Sequence, residues 1–299
     1  MPAPSYFHTR RPISPDRLRA NLQLTRQYLI ERQSPDGGFC FYRGYYLEEP
    51  NLADTFHGLS AWKLLTRDAL PAGHDHVGFV LRHAVEQQPF ALYFRVNCLI
   101  ALDVSDPAEA QVREAVSALP LILPDMGSTA LQSPLKRLAH ALWLKRHCGV
   151  LDASASDLGE ALLATEGDEG GYGNPPNLVD TVEALRVLAL CSARPSSVTV
   201  GFVRSLGIPG FGFQLTAHSL SPNLETTSAG IESSALLGTP VEFVDDALDF
   251  VLACQTGNGG YALRPGALPD LAWTHLALRT LCTGLDIEKL EHAPVRHGP

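Results

Sequence analysis

The chain lacks the features that mark most nucleic-acid, membrane and secreted proteins. It has no basic cluster, and 23 Lys and Arg stand against 32 Asp and Glu, a formal net charge of -9. Phosphate backbones need a concentrated positive field, so no nucleic-acid partner is expected. No apolar run approaches the roughly 18 residues of a membrane span. The run Leu119 to Leu123 is suited only to a peripheral contact with a membrane surface. The six cysteines (Cys40, Cys98, Cys148, Cys191, Cys254, Cys282) form no CxxC pair, which points to free buried thiols in a reducing, cytoplasmic setting. The twin arginine Arg10-Arg11 is followed by Pro-Ile-Ser-Pro instead of the apolar core of a secretory leader. GxSxG, HExxH and a phosphate loop are absent, and strand-type alternation is nearly so.

What is present is repetition. Gln33 to Arg43, QSPDGGFCFYR, returns in thinner form as Gln255 to Arg264, QTGNGGYALR. Gly-Gly-aromatic or its relic occurs at Gly37-Gly38-Phe39, Gly170-Gly171-Tyr172, Gly210-Phe211-Gly212-Phe213 and Gly259-Gly260-Tyr261. Successive separations from Gly38 are 133, 41 and 48, the first close to three periods of about 44, the length of a two-helix repeat. Two worn repeats are therefore expected between residues 72 and 150. A second mark follows each glycine turn: Pro50-Asn51 to Asp54-Thr55, Pro176-Asn177 to Asp180-Thr181, Pro222-Asn223 to Thr226-Thr227, and Pro265 to Asp270. Proline suits a first helical turn, and Asp or Thr can satisfy its free N–H groups.

Helical periodicity agrees. Leu18, Leu22, Thr25 and Leu29 form one stripe, and Val241, Val244, Leu248, Val251 and Leu252 another. The segment Thr181 to Ala193 is apolar around its circumference, as a helix buried on two sides would be. Helices are predicted near 15–33, 51–67, 73–86, 90–103, 107–118, 134–148, 156–165, 177–193, 197–206, 223–238, 241–255 and 269–284. The expected architecture is all-α, an α/α toroid of about six helix pairs closed into a barrel. It is a single domain over residues 15–285, with an N-terminal extension over 1–14 and a C-terminal tail over 286–299.

These marks, in this order, resemble the repeat of protein prenyltransferase β subunits and, more distantly, of squalene-type terpene cyclases. The resemblance covers essentially the whole chain. In the β subunits GGF-x-G-R-x-x-K-x-x-D leads into an inner helix, where the Arg and Lys hold diphosphate and the Asp, with a Cys two residues later, binds zinc. GGYALRPGALPDLAW is similar and puts Arg264 on the arginine, Asp270 on the aspartate and Trp273 on a cavity-lining aromatic. Ala267 and Ala272 stand in place of the lysine and the cysteine, and Phe56 and Val182 occupy the same place after Asp54 and Asp180. Asp54-Thr55-Phe56-His57 is similar to the segment carrying the family's zinc histidine, but two ligands fall short of the three or four that zinc takes, and no metal is assigned.

The resemblance implies an enzyme that cyclises or transfers an isoprenoid, as its diphosphate, in the central cavity. Arg43 and Arg264 are the expected diphosphate contacts, since guanidinium forks suit phosphate oxygens. Asp54, Asp180, Asp270 and His57 are the candidate proton carriers, and Phe56, Trp273 and Glu183 the further ligand contacts. Tyr93, Phe94 and Trp143 extend the expected aromatic wall, whose π faces suit carbocations. A diphosphate would bring magnesium; no other cofactor is assigned. The cyclase motif DxDD is absent, and Asp245 to Asp249, which spells DDxxD, is expected on the solvent face of its helix, near the N-terminus where acids suit the dipole.

A plain structural reading stands beside each functional one: the aspartates as helix caps, His57 as a satisfied buried histidine, the arginines as surface residues, the aromatics as packing wedges. The alternatives at the level of function are a non-catalytic toroid used for binding or as a scaffold, a β-like subunit requiring a helical α-type partner, and a carbohydrate-processing α/α barrel.

Overall fold

Short polar caps and prolines start the helices close to where the periodicity puts them. The computed structural model describes residues 13–41, 43–44, 47–70, 73–126, 133–152, 154–219 and 221–290, and the expected extension up to residue 12 and tail from residue 291 lie outside the described residues. Six helices form an inner layer: α2 (Leu52–Leu65), α4 (Pro89–Ala101), α6 (Pro134–His147), α8 (Leu178–Leu190), α10 (Leu224–Leu236) and α12 (Leu271–Leu285). Six form an outer one: α1 (Pro15–Glu31), α3 (His76–Arg82), α5 (Ala110–Ser117), α7 (Ser154–Leu163), α9 (Ser197–Ser205) and α11 (Val244–Ala253). Each inner helix packs on the next, α12 packs back on α2 to close the ring, and each outer helix covers the inner helix that follows it. Ile287 and Leu290 still pack on the main core, so ordered packing runs past the last helix.

The glycine turns weld these layers together. Phe39, Tyr172 and Tyr261 each donate their backbone N–H to a buried threonine hydroxyl at 3.0 Å, on Thr55, Thr181 and Thr274, and Phe213 does so to Thr227 at 3.4 Å. Thr55, Thr181 and Thr274 also donate to the carbonyl of the cap residue four positions earlier. Gly37, Gly170 and Gly259 adopt φ of +96, +86 and +91°, where a side chain is strained. A Cβ there would lie 2.1–2.6 Å from a backbone carbonyl oxygen of the next outer segment, at Asp75, Val198 and Leu24 respectively. The last contact closes the outer ring, because Leu24 belongs to α1.

Two findings depart from the sequence-based expectations. The complete repeats carry antiparallel two-residue hairpins: β1 (Arg43–Gly44) with β2 (Leu47–Glu48), β3 (Tyr172–Gly173) with β4 (Pro176–Asn177), β5 (Gly207–Ile208) with β6 (Gly212–Phe213), and β7 (Tyr261–Ala262) with β8 (Pro269–Asp270). Strands of two residues leave no alternation to detect. The cap register also differs. Asn51, Asn177, Asn223 and Asp270 are the N-caps, accepting from the N–H three residues on at 2.6–2.9 Å. Asp270 is therefore equivalent to Asn51 and Asn177, and Trp273, not Asp270, shares a register with Asp54 and Asp180.

The worn repeats, α3 with α4 and α5 with α6, have no hairpin among the described residues. A single buried guanidinium does the joining: Arg95 donates to the carbonyls of Val80 and His83 and to Glu109, spanning α3, α4 and the approach to α5.

Replacing Thr274 with valine removes the acceptor and leaves the buried Tyr261 N–H unpaired, with an expected loss of about 1–3 kcal/mol. Chemical denaturation checks this; a midpoint equal to that of the parent protein would contradict the welding role.

Candidate functional site

The inner helices enclose a cavity of about 1180 Å³, larger than the roughly 300–1,000 Å³ of ordinary ligand clefts. The Leu178 N–H bonds the Leu215 carbonyl and the Leu224 N–H bonds the Leu263 carbonyl, so α8 and α10 each begin against the segment leading into the next inner helix. Their N-termini thus share one end of the ring, and position along a helix reads as depth.

The first turns supply a polar rim: Lys136, Asp180, Glu225, Asp270 and Trp273. The ninth residues of α8, α10 and α12 are Arg186, Glu232 and Arg279, about 10 Å further down. They form a floor of ion pairs. Arg186 donates to Glu232 at 2.7 Å and to Glu183 at 2.6 Å, and Arg279 donates to Glu232 at 3.1 Å. Burial alone would push the Glu232 carboxyl up, but Arg279 and Arg186 overcome it and hold it down at about 2. Burial opposes the charge of Arg186 too, and Glu232 and Glu183 more than restore it.

Between rim and floor lies an aromatic wall. Phe90, Tyr93 and Phe94 share the inward face of α4, and His140 and Trp143 that of α6. His140 stacks on Tyr93 at 3.8 Å with ring planes 4° apart, and Phe56 stacks on Phe94 at 5.1 Å. His57 meets His275 through their Nδ1 atoms at 3.1 Å, so one ring donates and the other accepts. Burial pushes His57 and His140 down to about 3, helped by the nearby charges of Lys136 and Arg279, and His275 well below its ordinary value. All three rings are thereby biased toward the neutral form.

The structure brings Phe56, His57, Asp180, Glu183, Asp270 and Trp273 to this cavity. Asp54 is not among its lining residues: its carboxylate accepts from the Asn51 amide at 2.7 Å and the Phe41 N–H at 3.0 Å. Asp180 is held in the same way by Asn177, at 2.6 Å. Burial raises the Asp54 and Asp270 carboxyls, and Asp54 raises Asp270 further. Arg264 is exposed, outside the cavity lining. The backbone of Arg43 pairs with Glu48 in the first hairpin; its side chain lies outside the described residues. The acids of the DDxxD stretch do structural work: Asp249 pairs with Arg17 of α1 at 2.8 Å, and Asp246 accepts from the Gly210 N–H. Among the described residues, no three His, Cys, Asp or Glu gather as a metal site.

Sequence reasoning missed Lys136, His140, Glu225, Glu232, His275 and Arg279. The usable signal was a polar residue interrupting an otherwise apolar inner helix, as Lys136 and His140 do one turn apart in PLKRLAHALW.

These pKa shifts set a pH window. A histidine held neutral by burial contributes stability above its unfolded value of 6.5 that is lost as pH falls below it, whereas the salt-bridged Glu232 loses its contribution only below 4.5. The thermal midpoint should therefore fall between about pH 6.5 and about pH 4.5 through the histidines. His140→Phe, which keeps an aromatic ring against Tyr93, should flatten that fall; an unchanged pH profile in this variant would contradict the assignment.

The prenyltransferase alpha-alpha toroid domain matches residues 13–91 and 81–291. Over 55 residues the chain is 47% identical to the β subunit of protein farnesyltransferase from Pisum sativum, and over 55 residues it is 46% identical to that from Arabidopsis thaliana. Each match spans 18% of this chain, but only 13% and 11% of those two subunits respectively. Among solved structures, the chain is similar to Candida albicans protein geranylgeranyltransferase-I complexed with GGPP, with TM-score 0.64 and 13% identity over 89% of this chain and 90% of that one. It is also similar to the apo form of the type II terpene cyclase MstE from Scytonema, with TM-score 0.58 and 12% identity over 94% and 99% of the two chains. A variant of that cyclase in complex with geranylgeranyl dihydroxybenzoate has TM-score 0.58 and 12% identity, over 90% and 97%. At these identities the structural likeness speaks for the fold. With two matched segments that together span nearly all of its length, the chain belongs to the prenyltransferase alpha-alpha toroid domain family.

Proposed function

We propose that the central cavity holds an isoprenoid chain and that the protein cyclises or transfers it. The observation that carries this reading is the wall of Phe56, Phe90, Tyr93, Phe94, Trp143 and Trp273 around a cavity of about 1180 Å³. Such a wall buries a long apolar chain, and its π faces favour a carbocation formed along it. The complexes of the two structural relatives, one with GGPP and one with a geranylgeranyl-bearing benzoate, support the same ligand class.

The neutral His57–His275 pair, against the Phe56 ring at 4.8 and 5.4 Å, is the best placed proton acceptor for a cation quenched on that wall. Asp270 and Asp180 serve at the rim, each already holding a helix start together. Zinc-thiolate activation of an acceptor finds no ligand set here, since Ala272 follows Asp270 where the β subunits carry cysteine. A diphosphate bound by Arg43 and Arg264, with magnesium, would have to sit above the rim and outside the cavity proper.

A second reading, a subunit that works with a helical α-type partner, is favoured by exposed apolar residues on the loops preceding α2, α10 and α12: Phe41, Phe211 and Leu268, the last 84% exposed. The same loops are suited to peripheral membrane contact.

Titration with prenyl alcohols and diphosphates of different lengths, read by tryptophan emission, should show saturable binding, and Trp143→Ala should weaken it on the order of tenfold. Failure of every prenyl species to bind would sink the proposal. Extraction of the incubated mixture separates cyclisation from transfer.

A further inference from the structure

The polar groups of the cavity do not match a multiply charged head group. Its lining holds three cations, Lys136, Arg186 and Arg279, against five carboxylates, of Asp180, Glu183, Glu225, Glu232 and Asp270. Arg186 and Arg279 are committed to Glu183 and Glu232 through the ion pairs of the floor. Of the three cations, only the Lys136 ammonium has no hydrogen-bond or ion-pair partner among the described residues. A diphosphate would bring two or more negative charges into a cavity whose fixed charge is already negative, with one ammonium to meet them. Desolvating an anion without matching partners is strongly unfavourable.

Ser133 Oγ, His140 Nδ1 and Glu183 Oε2, all on residues that line this cavity, are buried without a hydrogen-bond partner. Glu183 is 5% exposed; its Oε1 accepts from Arg186, and its Oε2 has no partner. Lys136 and Glu183 sit on the directly packed helices α6 and α8. Glu183 is the charge acting most strongly to keep the Lys136 proton on, against burial, which lowers the Lys136 pKa. A donor without an acceptor thus neighbours an acceptor without a donor, and the two are not in contact with each other.

We infer that the ligand ends in a neutral hydroxyl, an isoprenoid alcohol or prenylated phenol, whose oxygen accepts from Lys136 Nζ and whose O–H donates to Glu183 Oε2. This rests on the isoprenoid reading above and narrows it. A hydroxyl is the small group that supplies one acceptor and one donor at the same atom, and it adds no charge. The chain then lies against Tyr93 and Trp143, because His140 and Trp143 follow Lys136 by one and two turns on the same face of α6.

The test compares farnesol, farnesyl methyl ether and farnesyl diphosphate by isothermal titration against the full chain and its Lys136→Met and Glu183→Gln variants. The ether keeps the accepting oxygen and lacks the O–H. Farnesol should bind about tenfold more tightly than the ether and more tightly than the diphosphate, since a buried acceptor left without its donor is costly. Lys136→Met should weaken the alcohol and the ether alike, and Glu183→Gln should reduce the preference for the alcohol over the ether. Tightest binding by the diphosphate, or equal binding of alcohol and ether, overturns the head-group assignment while leaving the isoprenoid reading intact. An alcohol-over-ether preference left unchanged by Glu183→Gln, or affinities for both ligands left unchanged by Lys136→Met, also overturns it. No binding by any of the three refutes the isoprenoid reading itself and takes this inference with it. Should either variant fail to fold, the comparison of alcohol, ether and diphosphate on the unmodified protein decides alone.

Discussion

Each complete repeat joins its glycine turn to its inner helix through one buried threonine hydroxyl, which accepts the N–H of Phe39, Tyr172, Phe213 or Tyr261. Much follows from that bond. It fixes the cap one turn earlier, it seats the aromatic ring under the helix, and it sets which residues of the helix face inward. The residue three positions after the threonine is Gly58, Ala184, Gly230 or Ala277, small in every case. At Gly58 and Gly230 an added Cβ would lie 2.3 and 2.1 Å from the Phe39 and Phe213 rings, so the wedge and the helix are cut to fit each other. Where the weld is missing, in the two worn repeats, the buried Arg95 takes over, donating to the carbonyls of Val80 and His83 at the end of α3 and to the Glu109 carboxylate ahead of α5.

With the inner helices held in one register, the cavity divides by depth. Charge is concentrated at the rim and on the floor, and the intervening turns are aromatic. On the floor two arginines and two glutamates pair with one another, an arrangement in which removing one partner strands another charge. The histidines above it are neutral for a related reason: the cations near them and their burial both oppose a further proton. The aromatic middle of the cavity is thus suited to a long apolar chain, and among its uncommitted polar atoms those of Lys136 and Glu183 are the ones proposed to select a head.

The fold was largely legible in the sequence because its determinants are local. A glycine turn, a cap and an apolar stripe each lie within a few residues, and all twelve helices fall near their expected places. The hairpins were hidden by their length. The register of Asp270 was misread because Pro265 imitates the proline before the cap, whereas Pro269 is the one that fills that place. The site was legible only in part. Phe56, His57, Glu183 and Trp273 were found through repeat position, but the meeting of His57 with His275, and of Arg186 with Glu232 and Arg279, joins residues from 46 to 218 positions apart. Those pairings depend on which helices become neighbours when the ring closes, and no local pattern records that.

The proposed isoprenoid site is the ring's interior, not its outer surface. Photocrosslinking with a prenyl alcohol carrying a diazirine near its apolar end, followed by peptide mapping, tests it most directly. Adducts confined to the inner-face peptides of α2, α4, α6 and α12, and competed away by unlabelled prenyl alcohol, are the predicted result. Adducts on the outer helices, or labelling that excess ligand does not reduce, would contradict it.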